Sequence, residues 1–253
     1  MALARMRTVV VTGASRGIGL AIAEAFATSG WTVFALARSA APVEPLRAKG
    51  DVRFVAFDAS SNDSVLAAAK SVLAFGARLD ALVNNAGIAL SASLAKTSLE
   101  DFSRIQQVNV TAPFLLTREL LPALVAAKGR VVNICSTAAK KGFKYTSAYC
   151  ASKHALLGLT RSLAVELASK HVTVNAVSPG WTDTDMLTAS VERIASSTGR
   201  TAQDAKATLE AMNPLNRAVK PNEVAALVHF LCASEAGAAI TGADYTIDGG
   251  ETV

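Results

Sequence analysis

Short apolar runs alternate with longer stretches in which apolar positions recur at helical spacing. The runs Thr8–Thr12, Thr32–Ala37, Arg53–Phe57, Ala81–Val83, Arg130–Ile134, Thr173–Val177 and Asp244–Ile247 predict seven strands. Several are apolar throughout, as parallel strands covered on both faces are. Helical patterns fall near 18–29, 62–76, 99–125, 147–170 and 221–233. Asp63 and Ser98 stand where N-caps stand. Pro221 suits a first helical turn, where a missing N–H costs nothing.

Strand–helix alternation predicts an α/β fold: one doubly wound parallel sheet of about seven strands with helices on both faces, a single domain over 1–253. The segment 183–216 breaks the rhythm. It is polar, helix-prone and follows a strand end. Open α/β sheets bind ligands outside the carboxyl ends of their strands, so this segment reads as a helical substrate lid.

Composition narrows the function. About half the residues are apolar (51%) but only 6% are aromatic. A core of Ala, Val, Leu and Ile lets helices lie close on a sheet. The net charge is +5 and scattered, with no basic run interleaved with aromatics. That argues against nucleic acid and is compatible with a small anionic ligand. The three cysteines, Cys135, Cys150 and Cys232, form no C-x-x-C pair, which suits a reducing, cytoplasmic setting. His154, His171 and His229 are dispersed, so no metal site is expected. The first strand starts too early for a signal peptide to precede it. No apolar run approaches the ~20 residues of a membrane span, and no membrane partner is expected.

The first strand runs into Thr12-Gly13-Ala14-Ser15-Arg16-Gly17-Ile18-Gly19. Glycines between a strand and a helix permit positive φ and bring backbone N–H groups close to an anion. The helix N-terminus adds its dipole. The turn predicts a pyrophosphate site in a Rossmann-type fold. It lacks the Lys-Ser/Thr ending of a P-loop, which argues against an ATPase. The second strand ends Ala37-Arg38, with no carboxylate for a free ribose 2′-hydroxyl. Arg38 can hold a 2′-phosphate by charge-assisted bonds, with Arg16 approaching from the other side. NADP(H) is therefore expected over NAD(H).

Two further signals complete a set: Asn84-Asn85-Ala86-Gly87 after the fourth strand, and Tyr149-Cys150-Ala151-Ser152-Lys153. Together with Pro179-Gly180, Ile240-Thr241-Gly242 and Asp248-Gly249-Gly250, the chain resembles the short-chain dehydrogenases/reductases over nearly its whole length. The resemblance implies roles. Gly13, Ser15, Arg16, Gly17, Ile18 and Gly19 would form the cofactor turn. Asp58 and Ala59 would meet the adenine, and Asn85, Ala86 and Gly87 the adenosine ribose. Pro179, Gly180 and Thr184 would line the nicotinamide side, with Thr182 where a Val or Ile is more usual. Ser136, 13 residues before Tyr149, would be the catalytic serine, and Asn109 the helix asparagine.

The chemistry of ketone reduction asks for such residues. The cofactor transfers hydride, and the protein supplies position, a proton and electrostatics. Lys153 at i+4 shares a helix face with Tyr149. An ammonium beside a phenol favours the phenolate, which makes the phenol a better proton donor near neutrality. The same lysine can bond the nicotinamide ribose. The Ser136 hydroxyl can donate to the carbonyl oxygen as charge develops. Pro113 has no N–H to return to the carbonyl of Asn109. That carbonyl is left free for a water that would resupply protons through Lys153. A hydrolase triad of Ser136, His154 and Asp183 fails for want of a G-x-S-x-G elbow.

Substrate is less sharply marked. The tail from Asn213 to Gly250 resembles that of 3-oxoacyl thioester reductases of carrier-protein or CoA type. The long 183–216 segment and Trp181 resemble 3-hydroxybutyrate dehydrogenases. Ile88-Ala89-Leu90 and Arg38 depart from that second group. Leu90, Phe143 and Trp181 would form an apolar pocket wall, with Ser136 at its polar end. Lys140, Lys141 and Lys144 stand near the mouth, where they would meet a thioester's phosphate or simply solvent. The leading expectation is an NADP-dependent ketoreductase acting reversibly on a 3-oxoacyl thioester or related β-keto compound. The alternatives are the same chemistry on a free cyclic or aryl ketone or its alcohol, and a non-catalytic dinucleotide-binding regulator. The resemblance also implies a homotetramer built through the helices near 99–125 and 147–170 and the last strand.

Overall fold

Along the first strand the side chains alternate across the sheet. Val9 and Val11 enter one hydrophobic core and Val10 the other, all three fully buried. This is the period of two that a strand imposes, with apolar residues at every position because both faces are covered. The computed structural model describes residues 6–76 and 78–253.

The strands are β1 (Thr8–Thr12), β2 (Thr32–Ala37), β3 (Val52–Ala56), β4 (Ala81–Asn84), β5 (Arg130–Ile134), β6 (Thr173–Pro179) and β7 (Asp244–Ile247). All neighbouring pairs are parallel, in the order β3-β2-β1-β4-β5-β6-β7. The expected seven-stranded, doubly wound sheet is present. The order reverses between β1 and β4, and a crevice opens there at the carboxyl ends. Three strands differ from expectation at their ends. β4 runs on to Asn84, which pairs with Asn133. β3 begins and ends one residue earlier than its apolar run. β6 continues to Pro179 because Val177, Ser178 and Pro179 pair with Tyr245, Thr246 and Ile247.

The helices are α1 (Gly17–Thr28), α2 (Asn62–Leu73), α3 (Leu99–Gln106), α4 (Ala112–Ala127), α5 (Ser147–Leu167), α6 (Asp185–Thr198), α7 (Ala202–Glu210) and α8 (Pro221–Ala233). α1 and α8 cover one face, through residues such as Ile22, Phe26, Val224 and Val228. α2, α4 and α5 cover the other, through Val65, Leu116, Leu120 and Ala164. Ser98 caps α3 as expected, accepting from the N–H of Asp101 at 3.0 Å. Asp63 does not cap α2. Ser61 does, accepting from Ser64, while Asp63 lies in the first turn, where the helix dipole favours its charge.

The single helix expected over 99–125 is interrupted. Gln107–Thr111 forms a π turn between α3 and α4. Pro113 explains it: without an N–H it cannot close the α-helical bond to the carbonyl four residues back, and the backbone widens one turn to compensate. Contrary to expectation, Leu99–Ala127 as a whole is long and apolar enough to cross a bilayer by length and composition. Its apolar residues Ile105, Leu116, Leu120 and Leu124 are fully buried in the protein instead.

The segment after β6 forms two helices, α6 and α7. Gly199 in the left-handed region ends the first, and Thr201 caps the second. Leu187, Val191, Ala205, Leu209 and Ala218 give this pair a small core of its own.

Candidate active site

The glycine turn is built by steric necessity. Gly13 and Gly17 have φ of 66° and 53°, which only glycine adopts without strain. A Cβ on Gly19 would lie 2.2 Å from the carbonyl oxygen of Gly13 and 2.4 Å from Asn85 Nδ2. α1 begins at Gly17 with no side-chain cap and no acidic residue in its first turn. Its N–H groups therefore face the turn, where an anion could satisfy them. Ser15 and Ile18 lie half-buried in the same turn.

β4 delivers its asparagines against this turn. Thr12 Oγ1 accepts from the N–H groups of both Asn85 and Ala86 at 2.9 Å. Asn85 Nδ2 returns a bond to the carbonyl of Thr12 at 2.9 Å. Asn84 is fully committed to the interior. Its amide donates to Thr117 Oγ1 at 3.1 Å and to Asn133 Oδ1 at 2.8 Å, and Asn133 in turn donates to Thr160 at 2.8 Å. This buried ladder ties α4 and α5 to β4 and β5.

Arg38 follows β2 and is exposed; Asp58 follows β3 at the same edge. Asp58 accepts from the N–H and hydroxyl of Ser60 at 2.9 and 2.7 Å. Those bonds hold its carboxyl below the usual carboxylate range, with the Arg38 charge adding to them. Ala59 beside it is buried. Arg16 is also exposed and reaches Asp185 at the start of α6, 3.4 Å away. Thr184 lies against Gly17, so the segment after β6 rests on the glycine turn.

α5 carries Tyr149 and Lys153 on one face. Lys153 is buried and donates from Nζ to the Ile134 carbonyl at 2.8 Å, at the end of the strand that leads into Ser136. Nζ is 5.7 Å from the Tyr149 ring centroid and 3.6 Å from where a Cβ on Gly87 would stand. Asn109 Oδ1 is 3.3 Å from that same point. Lys153 and Asn109, distant in sequence, thus converge beside Gly87. Ser136 is half-buried, and its Oγ accepts from the N–H of Ala138 at 3.1 Å, which leaves its proton free to donate elsewhere.

Asn109 sits in the π turn, fully buried. Its side chain exchanges two 2.9 Å bonds with the backbone of Ile88 and donates to Ser152 Oγ at 3.0 Å. Ser152 donates to the Tyr149 carbonyl at 2.7 Å. The asparagine therefore braces the strand-β4 loop against the helix of Tyr149.

Around the β6 end, Pro179 is in the strand and a Cβ on Gly180 would strike Asp248 and Glu251 at 2.9 Å. Thr182 is buried and donates to the Gly180 carbonyl at 3.0 Å; Thr184 donates to that of Thr182 at 3.2 Å. Leu90 and Phe143 come from adjacent loops, joined by a 2.8 Å bond from the N–H of Ala92 to the Tyr145 carbonyl. Trp181 packs on the core of α6 and α7. The lysine cluster departs from expectation. Lys140 pairs with Asp244 at 3.3 Å and Lys141 with Glu251 at 3.4 Å, while Lys144 lies 4.9 Å from the Tyr145 ring. For Lys140 and Lys141 the nearest opposite charges are this chain's own carboxylates.

The competing nucleophiles find no support. His154 is exposed, with Nδ1 2.9 Å from the Cys150 carbonyl of its own helix. Burial pushes the Cys135 thiol up to about 12, against the opposing pull of Lys153. Among the described residues no group of three or more His, Cys, Asp or Glu gathers around a cation position. The sequence reading missed Thr12, Ser152 and the Ile134 carbonyl. Two of these lie inside the motifs, yet only the fold shows what they hold.

The arrangement matches known proteins. A family model described as enoyl-(acyl carrier protein) reductase matches residues 13–252. The acetoacetyl-CoA reductase of Acinetobacter sp. (strain RA3849) is 36% identical, with 98% of each chain aligned. The 3-oxoacyl-[acyl-carrier-protein] reductase of Synechocystis sp. is 37% identical over 95% of each. Among solved structures, a variant of actinorhodin polyketide ketoreductase with NADPH superposes with a TM-score of 0.93, at 32% identity and 99% coverage of both chains.

Proposed function

The chain belongs to the short-chain dehydrogenase/reductase family of oxidoreductases, and on that premise we propose that it reduces the ketone of a 3-oxoacyl thioester, or a related β-keto compound, to a secondary alcohol with NADPH. The observation that carries this reading is the tie from Lys153 Nζ to the Ile134 carbonyl. It locks the helix of Tyr149 to the strand end that presents Ser136.

The glycine turn, the uncapped start of α1 and the Asn85–Gly87 stretch fit a dinucleotide. Gly13, Ser15, Arg16, Gly17, Ile18 and Gly19 would hold its pyrophosphate. Arg38 and Arg16 would hold a 2′-phosphate, which favours NADP(H) over NAD(H). Asp58, Ala59 and Asn85–Gly87 would flank the adenosine, and Pro179, Gly180, Thr182 and Thr184 the nicotinamide half. When bound, the reduced nicotinamide supplies the hydride.

The chain's residues do the rest. Ser136 donates a hydrogen bond to the ketone oxygen, and Tyr149 gives that oxygen its proton as negative charge develops. Lys153 places its ammonium beside the phenol and would bond the cofactor ribose. The Asn109 carbonyl, deprived of its α-helical donor by Pro113, holds a water that passes protons through Lys153. Leu90 and Phe143 supply the apolar wall. The substrate assignment rests on the relatives and this wall, not on Lys140 and Lys141, which pair internally. Phe102, Phe114 and Val165, exposed on α3, α4 and α5, support assembly as a homotetramer through these helices.

The test is NADPH and NADH oxidation against a panel of acetoacetyl-CoA, longer 3-oxoacyl thioesters, and cyclic and aryl ketones. Thioester preference with NADPH is expected. Preference for free ketones would replace the substrate class, and no turnover with any ketone would favour a non-catalytic role.

A further inference from the structure

We propose that Lys141 and Glu251 form a clamp through which the last turn of the chain positions the loop between Ser136 and Tyr149. This rests on the reading above only in taking those two residues as the reacting pair; the clamp itself is a matter of packing and charge.

After a short 3₁₀ turn at Thr137–Ala139 the loop has no helix until Ser147, and it passes through Tyr145 at a φ of 66°. Within it Thr146 folds back onto the Phe143 carbonyl, and the Tyr145 carbonyl accepts from the N–H of Ala92. Two adjacent lysines tie it to the chain's end. Lys140 Nζ reaches Asp244 and Thr246 on β7. Lys141 Nζ donates to the Glu251 carbonyl at 2.9 Å and lies 3.4 Å from Glu251 Oε1. The same ammonium is 5.0 Å from the ring of Phe143 in its own loop.

The carboxylates are the unusual half. The side chains of Asp244 and Glu251 are 6% and 1% exposed. A carboxylate buried to that degree is costly unless a cation faces it. Burial raises the Glu251 pKa above the ordinary value, the Asp248 charge adds a smaller push, and Lys141 opposes both. Both carboxylates also touch the end of β6. Asp244 Oδ1 accepts from Ser178 at 2.6 Å, and Glu251 Oε2 is 2.9 Å from where a Cβ on Gly180 would lie.

The turn that carries Glu251 is rigid. Asp248 accepts from the N–H groups of Gly250 and Thr252 and from the Thr252 hydroxyl at 2.9, 3.0 and 2.7 Å. The tail thus joins the Ser136–Tyr149 loop to the Ser178–Gly180 strand end. Lys141 and Glu251 are positioning residues: they act through the loop, not on substrate.

The experiment compares the full chain with E251Q, K141M and the double variant K141M/E251M. Hydrogen exchange is followed in peptides covering 137–149, with β1–α1 peptides as control, and kcat and KM are measured on the best ketone of the panel. Each single variant should speed exchange at 137–149 and lower kcat, both about tenfold, with KM for NADPH unchanged. The double variant, with an apolar pair in place of the ions, should restore both toward the parent. Parent-like exchange and kcat in E251Q, which keeps the shape of Glu251 even where K141M fails to fold, would overturn the clamp. So would a double variant no better than the singles. If no ketone is turned over, the functional reading fails, while exchange alone still decides the clamp.

Discussion

The ammonium of Lys153 stands 5.7 Å from the ring centroid of Tyr149, one helical turn along the same face of α5, while its own hydrogen bond goes to the Ile134 carbonyl. The cation is held by the sheet, so it does not depend on the phenol for its place. Tyr149→Phe should leave the helix, the Lys153 bond and NADPH affinity intact while lowering kcat by about 10²–10⁴-fold, the usual worth of a positioned proton donor. NADPH fluorescence titration beside steady-state oxidation separates the two effects. Turnover within a few-fold of the parent would remove Tyr149 from the role of acid.

Arg38 is exposed at the β2 end and its field reaches Asp58. Arg38→Ala should weaken NADPH binding by roughly tenfold or more, the worth of a lost charge-assisted bond in a solvated site, and leave NADH binding unchanged. The NADPH affinity of the parent should also fall with added salt, and that slope should flatten in the variant. Equal losses for both cofactors would place Arg38 away from the 2′-phosphate.

Gly19→Ala tests the glycine turn. The added methyl would meet the Gly13 carbonyl oxygen at 2.2 Å, a backbone atom, and Asn85 Nδ2 at 2.4 Å, a side-chain end pinned by its bond to the Thr12 carbonyl. Overpacking of this kind costs about 1–3 kcal/mol or more. A lower melting temperature together with loss of cofactor binding is expected in differential scanning fluorimetry with and without NADPH. A variant with unchanged Tm and affinity would show that the turn has room to move.

Glu223 supplies a pH-dependent contribution far from the chemistry. It receives two bonds from Arg217, at 2.8 and 2.7 Å, and one from the Lys220 N–H at 2.7 Å. These hold its pKa at about 2, Arg217 being the larger cause. A depressed carboxylate stabilises fully above its unfolded value of about 4.5, and that contribution is lost as pH falls through the folded value. The pair is exposed, so Glu223→Gln should cost only about 0.5–1 kcal/mol at pH 7. The difference in Tm between parent and variant should shrink below pH 4.5. A gap that stays constant down to pH 3 would mean the charge is irrelevant.

The strands and the glycine, Asn-Asn-Ala-Gly and Tyr-Lys signals were legible because each depends on near neighbours in sequence: alternation, a positive φ, a spacing of four. What was not legible depends on distance. The cap of α2 is Ser61 rather than Asp63, because the hydroxyl reaching Ser64 is decided by where the strand-β3 loop enters the helix. Trp181 packs on α6 and α7 because Thr182 bridges to Val219, far along the chain. Lys140 and Lys141 looked available because their partners lie more than a hundred residues away, on a strand and a turn whose placement only the completed sheet determines. The π turn was half-visible: Pro113 announced a missing donor, but not that the backbone would widen around Asn109.

That wide turn also sets the rotational phase of two helices. A regular α-helix advances about 100° per residue, so removing one residue between Gln107 and Thr111 would let the segment wind smoothly while swinging α3 by about that angle against α4. Ile105 would leave the interior, and Asn109 would turn away from Ile88 and Ser152. A one-residue deletion that makes the helix more ideal would thus undo the brace beside Tyr149, whereas an insertion beyond Ala127, past the end of α4, would leave that alignment untouched.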